Sequence, residues 1–510
     1  NIEGKTEQLA PSEILRRWQE QLQVLIEKGS PNDKEVFRFD TSQLAKWGPQ
    51  GEVAPMSELL KDIVFPTFSR KETPAAFSTA AWRQAKDAVK HQLWHAGAYS
   101  LRPAAYQNVV DDMRVRDTLI SNSGWPLFTK RHKPEVIVQS IQEAESGLWK
   151  TYPAIALFRN YNCKTRLVWM FPMSANLVEG SFFQPLQSVL MNSKMALADL
   201  APWTGFEQVR RINTSAYANN CVLCASDFSS TDAHFGLATT LEVFDVLKYC
   251  FQEQYRDALR ESMVHMHTIP LVVSDTTKLV GEHGVSSGSN WTNFVETIFD
   301  LILGEYVSIR EAQRKLLPSK RNDLYFLQGE KVYAAFYAIG DDMTWIVSRS
   351  HYDANFQRRL ERYGALVGQE IKAEKTTNDP DKVKSLQRLF IRGYVRPDGQ
   401  LRAVYPTIRA LKSLVFPERP HGNDWTEDME AIRGIQILEN CVDHPLFDDF
   451  VKFVAAGDPH FVEFAKYSSS KQNRLYAQSK LVRGVRTTYN QEKRDSRISE
   501  FQTVKLLAKL

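Results

Sequence analysis

Two places in this sequence carry carboxylates at a spacing that could hold divalent cations. In Lys331 to Ser348, the residues Val332, Ala334, Phe336 and Ala338 precede Gly340-Asp341-Asp342, and Met343, Trp345 and Val347 follow. This alternation predicts two short strands joined by a tight turn, with Gly340 supplying a positive φ. Asp341 and Asp342 would share that turn, where like charges repel and divalent cations relieve the repulsion. Upstream, the apolar run Cys221 to Ser226 predicts a strand that ends at Asp227, with Asp232 five residues further on. If the two strands are neighbours, Asp227 meets the Asp341/Asp342 turn. Two or three carboxylates from separate strands are what a pair of Mg²⁺ ions about 3.5–4 Å apart requires. Locally, Asp227 fits a helix N-cap as well.

Two further segments suit a phosphate-bearing ligand. Gly281 to Asn293 is a hydroxyl-rich loop containing Ser286-Ser287-Gly288-Ser289 and Thr292, and it leads into a helix with the stripe Phe294, Ile298, Leu301, Ile302 and Ile309. Small residues before a helix N-terminus allow close approach of a sugar-phosphate backbone, although a capped surface loop has the same composition. In Lys164-Thr165-Arg166-Leu167-Val168-Trp169-Met170-Phe171-Pro172, cations alternate along a strand-like run, with Arg159 just upstream. They could pair with a triphosphate or simply protect an exposed edge strand.

The elements that must position these residues follow from composition and periodicity. The chain has 510 residues, 43% hydrophobic and 24% charged, which is globular composition in two to four packed units. A net charge of +4 excludes a uniformly basic nucleic-acid coat but leaves room for a basic channel. Five cysteines, at 163, 221, 224, 250 and 441, are too scattered for a disulfide framework, and the Cys221/Cys224 pair reads as part of a strand. No run of about 18 apolar residues would span a membrane, and the first residues, which lack an initiator Met, contain no signal-peptide core. An intracellular or particle-enclosed protein is expected.

Residues 1–11 read as an arm, and Ser12 as the cap of a helix running to about Lys28 and stopped by Gly29. Residues 30–80 show few periodic stretches. Residues 81–150 read as helical with a break at 121–126, 211–400 as alternating α/β, and everything from 406 onward as helical. The last 45 residues carry 11 Lys or Arg against Glu492, Asp495 and Glu500, an excess of +8. Such a segment is either a solvated face or a surface turned toward phosphates.

Taken in order, these elements resemble the RNA-dependent RNA polymerases of RNA viruses: basic strand, first Asp strand, Ser-Gly loop and helix, Asp-Asp hairpin, then lysine. The order is unpermuted, unlike the birnavirus variant. Through this resemblance, Asp227 matches the metal-binding acid of motif A, and Asp232 the acid that senses the ribose 2′-OH. Ser287, Gly288 and Thr292 match motif B, and Gly340-Asp341-Asp342 matches motif C with Asp341 as principal ligand. Glu374-Lys375-Thr376 is similar to motif D, which makes Lys375 a general-acid candidate, and Phe390-Ile391-Arg392-Gly393 resembles the primer-grip turn of motif E. Lys164 and Arg166 fit motif F, and Ser123-Gly124-Trp125-Pro126 resembles motif G, which admits the template. Many positive-strand relatives carry an Asn four residues after the motif B Thr. Here Glu296 stands there and Asn293 follows Thr292 directly, a pattern associated with small double-stranded-RNA viruses. The Ser-Gly-Trp-Pro and Trp-Met-Phe-Pro runs are most similar to picobirnaviruses, with partitiviruses next.

The resemblance implies an α/β (α+β) right hand with an antiparallel palm sheet and a largely helical thumb. The expected division is an arm and bridging helix at 1–60, fingers at 60–210 and 241–283, palm at 211–240 and 284–400, and thumb at 401–510 with its basic C-terminal segment. It implies nucleotidyl transfer with two Mg²⁺ ions, Mn²⁺ being the alternative. Asp227, Asp341, Asp342 and Lys375 would be catalytic, and the three Asp would bind metal. Lys164, Arg166, Asp232, Ser287, Gly288, Thr292 and Asn293 would bind nucleotide, and Ser123, Gly124, Trp125, Pro126 and Arg392 would bind RNA. The implied partners are single- and double-stranded RNA, NTPs and a capsid protein, with no membrane, and the implied location is the virion interior and host cytoplasm. A reverse transcriptase would place an aromatic gate near Asp232 and no Gly before the two Asp. A non-catalytic RNA-binding scaffold would have lost acids that are present here.

Overall fold

The computed structural model describes residues 9–52, 54–116, 118–315, 334–373, 379–486, 492 and 497–510. Strand β1 (Ala154–Tyr161) and β2 (Lys164–Met170) form a hairpin whose turn residues, Asn162 and Cys163, both take positive φ. That is the backbone twist two-residue hairpins favour. Next in order come β3 (Cys221–Ser229), β4 (Leu271–Ser274), β5 (Thr277–Leu279), β6 (Ala334–Ile339), β7 (Asp342–Ser348), β8 (Glu370–Ala373), β9 (Lys382–Ser385) and β10 (Arg388–Ile391). Among the described residues these make a sheet of order β2-β1-β4-β5, an antiparallel sheet of order β6-β7-β3-β8, and the hairpin β9-β10.

The antiparallel sheet is buried because both faces have cover. Val222, Leu223 and Cys224 are fully buried, as is Trp345 opposite Cys224. One face packs on the 25-residue helix Trp291–Lys315, whose Ile298, Phe299, Leu301, Ile302 and Val307 are fully buried. Gly304 allows this approach: a Cβ there would overlap the Phe336 ring of β6. This apolar core continues into the helices Ala80–His95 and Met173–Met191 and the sheet around β1. Lys86 of the first helix ties in the helix Leu237–Leu247 through Glu242 (2.8 Å) and Asp245 (2.9 Å).

A second core lies in the helices after residue 404, and the N-terminal helix belongs to it. The expected start of that helix needs correction. It begins at Pro11 with Ala10 before it and no side-chain cap, so Ser12 lies inside the helix and Pro supplies the N1 position. Residues 30–41 were expected to be irregular but form the helix Pro31–Thr41, closed by a capping box between Ser30 and Asp33. Trp18 is fully buried against Phe450 (ring centroids 4.7 Å apart), and its Nε1 donates to Thr407 Oγ1 at 2.8 Å.

Asp40, fully buried, completes this junction. Its carboxylate accepts from Thr407 Oγ1 (2.6 Å), Thr407 N (3.2 Å) and Ile408 N (2.8 Å), and His444 Nε2 lies 2.8 Å away. Asp40→Ala strands these donors in a dry site, and a loss of about 3–5 kcal/mol is expected from denaturant melts. A melt within 1 kcal/mol of wild type, on the order of a neutral surface change, would contradict that account. Gln50 makes a second long-range tie. Its backbone C=O accepts from Cys163 N (3.0 Å), its Oε1 accepts from Asn162 N (3.1 Å), and its Nε2 donates to Phe416 O (2.9 Å). The N-terminal segment thus joins the β1-β2 turn to the C-terminal helices.

Candidate active site

The Gly-Asp-Asp segment forms the hairpin expected of it. β6 and β7 pair antiparallel with Ile339 opposite Asp342, leaving Gly340 and Asp341 as a two-residue loop. Gly340 takes φ +55°, and the positive φ falls only on this first loop position, as type II′ hairpins require. β7 also pairs with β3, and in that register Asp227 lies directly opposite Asp342. Phe228 N donates to Asp341 O at 3.3 Å, tying the turn to β3. Asp227 is an interior residue of β3 and not a helix N-cap; the short helix after it starts at Thr231, behind Ser230.

The long helix Trp291–Lys315 supports the turn from below. Thr297 Oγ1 accepts from Gly340 N at 2.8 Å, and a side chain at position 340 would meet Asn293 Nδ2 at 2.8 Å and Glu296 Oε2 at 3.7 Å. Glu296, four residues after Thr292, therefore faces the Gly340-Asp341 turn. One turn further on, Asp300 is fully buried, and among the described residues neither carboxylate oxygen has a hydrogen-bond partner. Burial pushes both groups well above the ordinary carboxyl range, and the nearby acids push the same way. The floor of the site is thereby driven toward neutral acids, which limits the negative charge beneath the turn.

Burial also raises Asp341, while the field of Arg166 opposes the shift. Asp232, in the short helix Thr231–His234, is raised to about 6 by burial and by Asp341, again opposed by Arg166. The charge of Arg166, on β2, thus acts on both acids. Lys164, two residues earlier at the start of β2, belongs to a different group: its charge acts on Lys46 together with those of Arg409, Lys384 and Lys412. Nothing in the local sequence marks that basic cluster, because four separate segments build it. Arg159 is not free for a triphosphate; it makes a bidentate ion pair with Glu418.

The Ser-Gly loop is pressed against β2. A Cβ on Gly288 would overlap the Trp169 carbonyl oxygen, and one on Gly284 would overlap the Asp232 carbonyl. Ser287 Oγ accepts from Trp169 N at 3.1 Å, and Thr292 Oγ1 donates to Ser286 O at 2.5 Å, closing the loop onto the helix start. Ser123-Gly124-Trp125-Pro126 abuts the far end of the same strand: Met173 N donates to Ser123 O at 2.8 Å, and Gly124 (φ +69°) lies against the Phe171 carbonyl. Ser123 is buried, whereas Trp125 is 39% exposed.

Arg392, expected on RNA, directs its guanidinium to Tyr217 O (2.8 Å), Cys221 O (2.8 Å), Pro380 O (3.1 Å) and Asp381 (2.9 Å). This arrangement holds the turn after β10 to β3 and favours positioning over direct contact. Lys375 lies outside the described residues. Cys221 and Cys224 are thiols on β3, and burial pushes Cys224 up to about 12, which suits packing and not redox or metal chemistry. In the basic C-terminal segment, Lys471 and Arg486 lie over the rings of Tyr467 and Tyr476, at 3.6 and 3.4 Å from their centroids.

The donor set suits hard divalent cations, since oxygen carboxylates from β3 and the β6-β7 turn are brought to adjacent positions. Among the described residues, no three His, Cys, Asp or Glu side chains already converge tightly enough to hold an ion. Burial disfavours the charged forms of Asp341 and Asp232, and a bound cation would offset that cost.

Comparison with known proteins agrees with this geometry. Residues 162–455 match the family described as viral RNA-dependent RNA polymerase. The chain is 27% identical over 452 residues to a protein named potential RNA-dependent RNA polymerase from human picobirnavirus (strain Human/Thailand/Hy005102/-), covering 83% of this chain and 76% of that one. In fold it is similar to the crystal structure of a human picobirnavirus RNA-dependent RNA polymerase, with TM-score 0.72 and 22% identity over 99% of this chain and 92% of that one. An insertion-loop deletion mutant of such a polymerase matches with TM-score 0.71 and the same identity and coverage.

Proposed function

The chain belongs to the viral RNA-dependent RNA polymerase family, and we propose that Asp227, Asp341 and Asp342 form the metal-binding centre with which it copies the RNA of a small double-stranded-RNA virus. The observation that carries this assignment is the register that sets Asp227 opposite Asp342, with Asp341 in the adjoining turn. Two Mg²⁺ ions held there would lower the pKa of the primer 3′-OH and stabilise the pyrophosphate leaving group, with Mn²⁺ as the alternative ion. The charge of Arg166 acts on the acids from β2 and offsets triphosphate charge, whereas Lys164 works with the cluster at Lys46, Lys384, Arg409 and Lys412. Lys375 donates a proton to the leaving group. Asp232 reads the ribose 2′-OH, with Asn293 and Glu296 facing the neighbouring turn.

Ser287 and Gly288 border the nucleotide through their seat on β2, and Thr292 fixes the loop to its helix. Ser123 to Pro126 guides the template, with Trp125 offering the exposed ring. Arg392 acts by holding the turn after β10. The division proposed is fingers at 60–210 and 241–283, palm at 211–240 and 284–400, and thumb at 401–510; one core runs through fingers and palm, the Lys86 ties join the two fingers segments, the core of the C-terminal helices supports a separate thumb, and residues before 60 join fingers to thumb through Gln50 and Trp18. NTPs and single- and double-stranded RNA are the ligands. The virion interior and host cytoplasm, with a capsid protein as partner, are the setting proposed. No described helix is long and apolar enough to cross a membrane.

The test is incorporation of labelled nucleotide on a single-stranded RNA template, with and without primer. Activity is expected to vanish on chelation and to return with added Mg²⁺ or Mn²⁺. Template-length product surviving full chelation would overturn the metal-centre assignment.

A further inference from the structure

A buried polar chain runs from the turn at 122–126 to the Ser-Gly loop, and no step described above uses it. Arg131, 8% exposed, donates through Nε to Asn122 O at 3.0 Å and through Nη2 to Asn176 Oδ1 at 2.8 Å. Asn176 Nδ2 donates to Glu179 Oε1 at 2.8 Å and to Gly288 O at 3.1 Å. Glu179, 1% exposed, accepts from Asn290 N at 3.0 Å and from the Ser289 hydroxyl. Asn290 Nδ2 closes the circuit on Asn176 O at 3.2 Å.

These residues come from three distant segments. The helix Met173–Met191 carries Asn176 and Glu179 and stands between the two loops. An acid so deeply buried is costly unless its oxygens are filled by donors, and here two of the three donors are the residues that follow Gly288, the third being Asn176. An apolar residue would fill the same space at lower cost, so packing alone does not account for the carboxylate.

We propose that Glu179, with Asn176 and Arg131, is a positioning group that locks the Ser-Gly loop to the template-guiding turn, so that the template strand and the incoming nucleotide are held by one rigid body. This rests on the assignment of 123–126 to template and of Ser287-Gly288 to nucleotide. Glu179 touches neither ligand; it acts through Ser289 and Asn290. Its ionisation supplies an independent signature. Burial raises the carboxyl to about 7, opposed by the Ser289, Asn176 and Asn290 hydrogen bonds and by Arg131, the charged group facing it. Above that value the carboxylate accepts all three donors. Below it, the added proton competes with a donor and the lock loosens.

The full chain is compared with Glu179→Ala, Glu179→Gln and Asn176→Ala. Affinity for a fluorescent single-stranded RNA is measured by anisotropy, and KM for NTP and kcat by incorporation. In Glu179→Ala and Asn176→Ala, RNA affinity and KM are expected to worsen together by about fivefold or more, on the order of 1 kcal/mol. Glu179→Gln, which keeps the Oε1 contacts, recovers most of the loss. The ratio of wild-type to Gln-variant KM should change between about pH 6 and 8, because only wild type has a titrating group at position 179, while Asp232 titrates in both and cancels in the ratio. A purely structural role predicts fewer active molecules with both constants unchanged, and that result overturns the proposal. If Glu179→Ala does not fold, Asn176→Ala and Glu179→Gln carry the same test, and unchanged constants in both overturn it. RNA affinity needs no catalysis, so it judges the lock even if incorporation, and with it the metal-centre assignment, were to fail.

Discussion

Asp341→Asn is expected to reduce nucleotide incorporation by at least roughly a thousandfold, about 4 kcal/mol of lost transition-state stabilisation. Amide oxygen is a weak, neutral donor, and Asp341 sits in the turn where the chain concentrates its carboxylates. The same substitution removes a charge whose protonation burial already favours. A carboxyl raised above its unfolded value subtracts stability as pH climbs past its ordinary range, so its replacement by a neutral isostere should leave the melting temperature unchanged or higher. The informative result is thus a dead enzyme that folds at least as well as wild type. An active Asp341→Asn, within about tenfold of wild type, would remove Asp341 from the metal centre.

The second large effect is expected from Gly288→Ala, a change of one methyl group with no charge involved. The added Cβ would overlap the Trp169 carbonyl oxygen and come within 3.2 Å of Phe171 Cδ1, so backbone must part from backbone. The Ser287–Trp169 hydrogen bond lies in the path of that movement. A displacement of about 1 Å in a reacting geometry costs on the order of a hundredfold in rate, and such a loss is expected in single-turnover incorporation while RNA still binds. Gly281→Ala is a suitable comparison, since that glycine has open space around its Cβ position, although its φ of +115° adds local strain. Equal, small effects at both positions would show that the contact with β2 does not set the loop.

The chemistry of the site lay largely in short-range sequence. Alternation around Gly340 specified a hairpin, and an apolar run specified the strand bearing Asp227, because strand period and turn chemistry are properties of a few adjacent residues. The order of these segments then pointed to the polymerase family, which the match over residues 162–455 bears out. The capping box at Ser30 and Asp33 was equally local and legible, yet the lack of periodic stretches in 30–80 suggested irregular chain.

Tertiary structure alone decided the rest. The pairing of Asp227 with Asp342 depends on which strands become neighbours, and that is a choice among registers distant in sequence. Whether Glu296 and Asp300 are charged follows from how deeply the long helix is buried, which no residue carries by itself. Arg392 and Arg159 read as cations ready for phosphate, but carbonyls and acids from remote segments occupy their guanidinium groups. Glu179 carries no signal in its local sequence, since a single acid on an apolar helix has many uses. Only the burial of its carboxylate beneath a loop 110 positions away reveals what it holds. Local pattern determines the elements and the residues available for chemistry; long-range burial determines their charge, their partners and which of them remain free to meet a ligand.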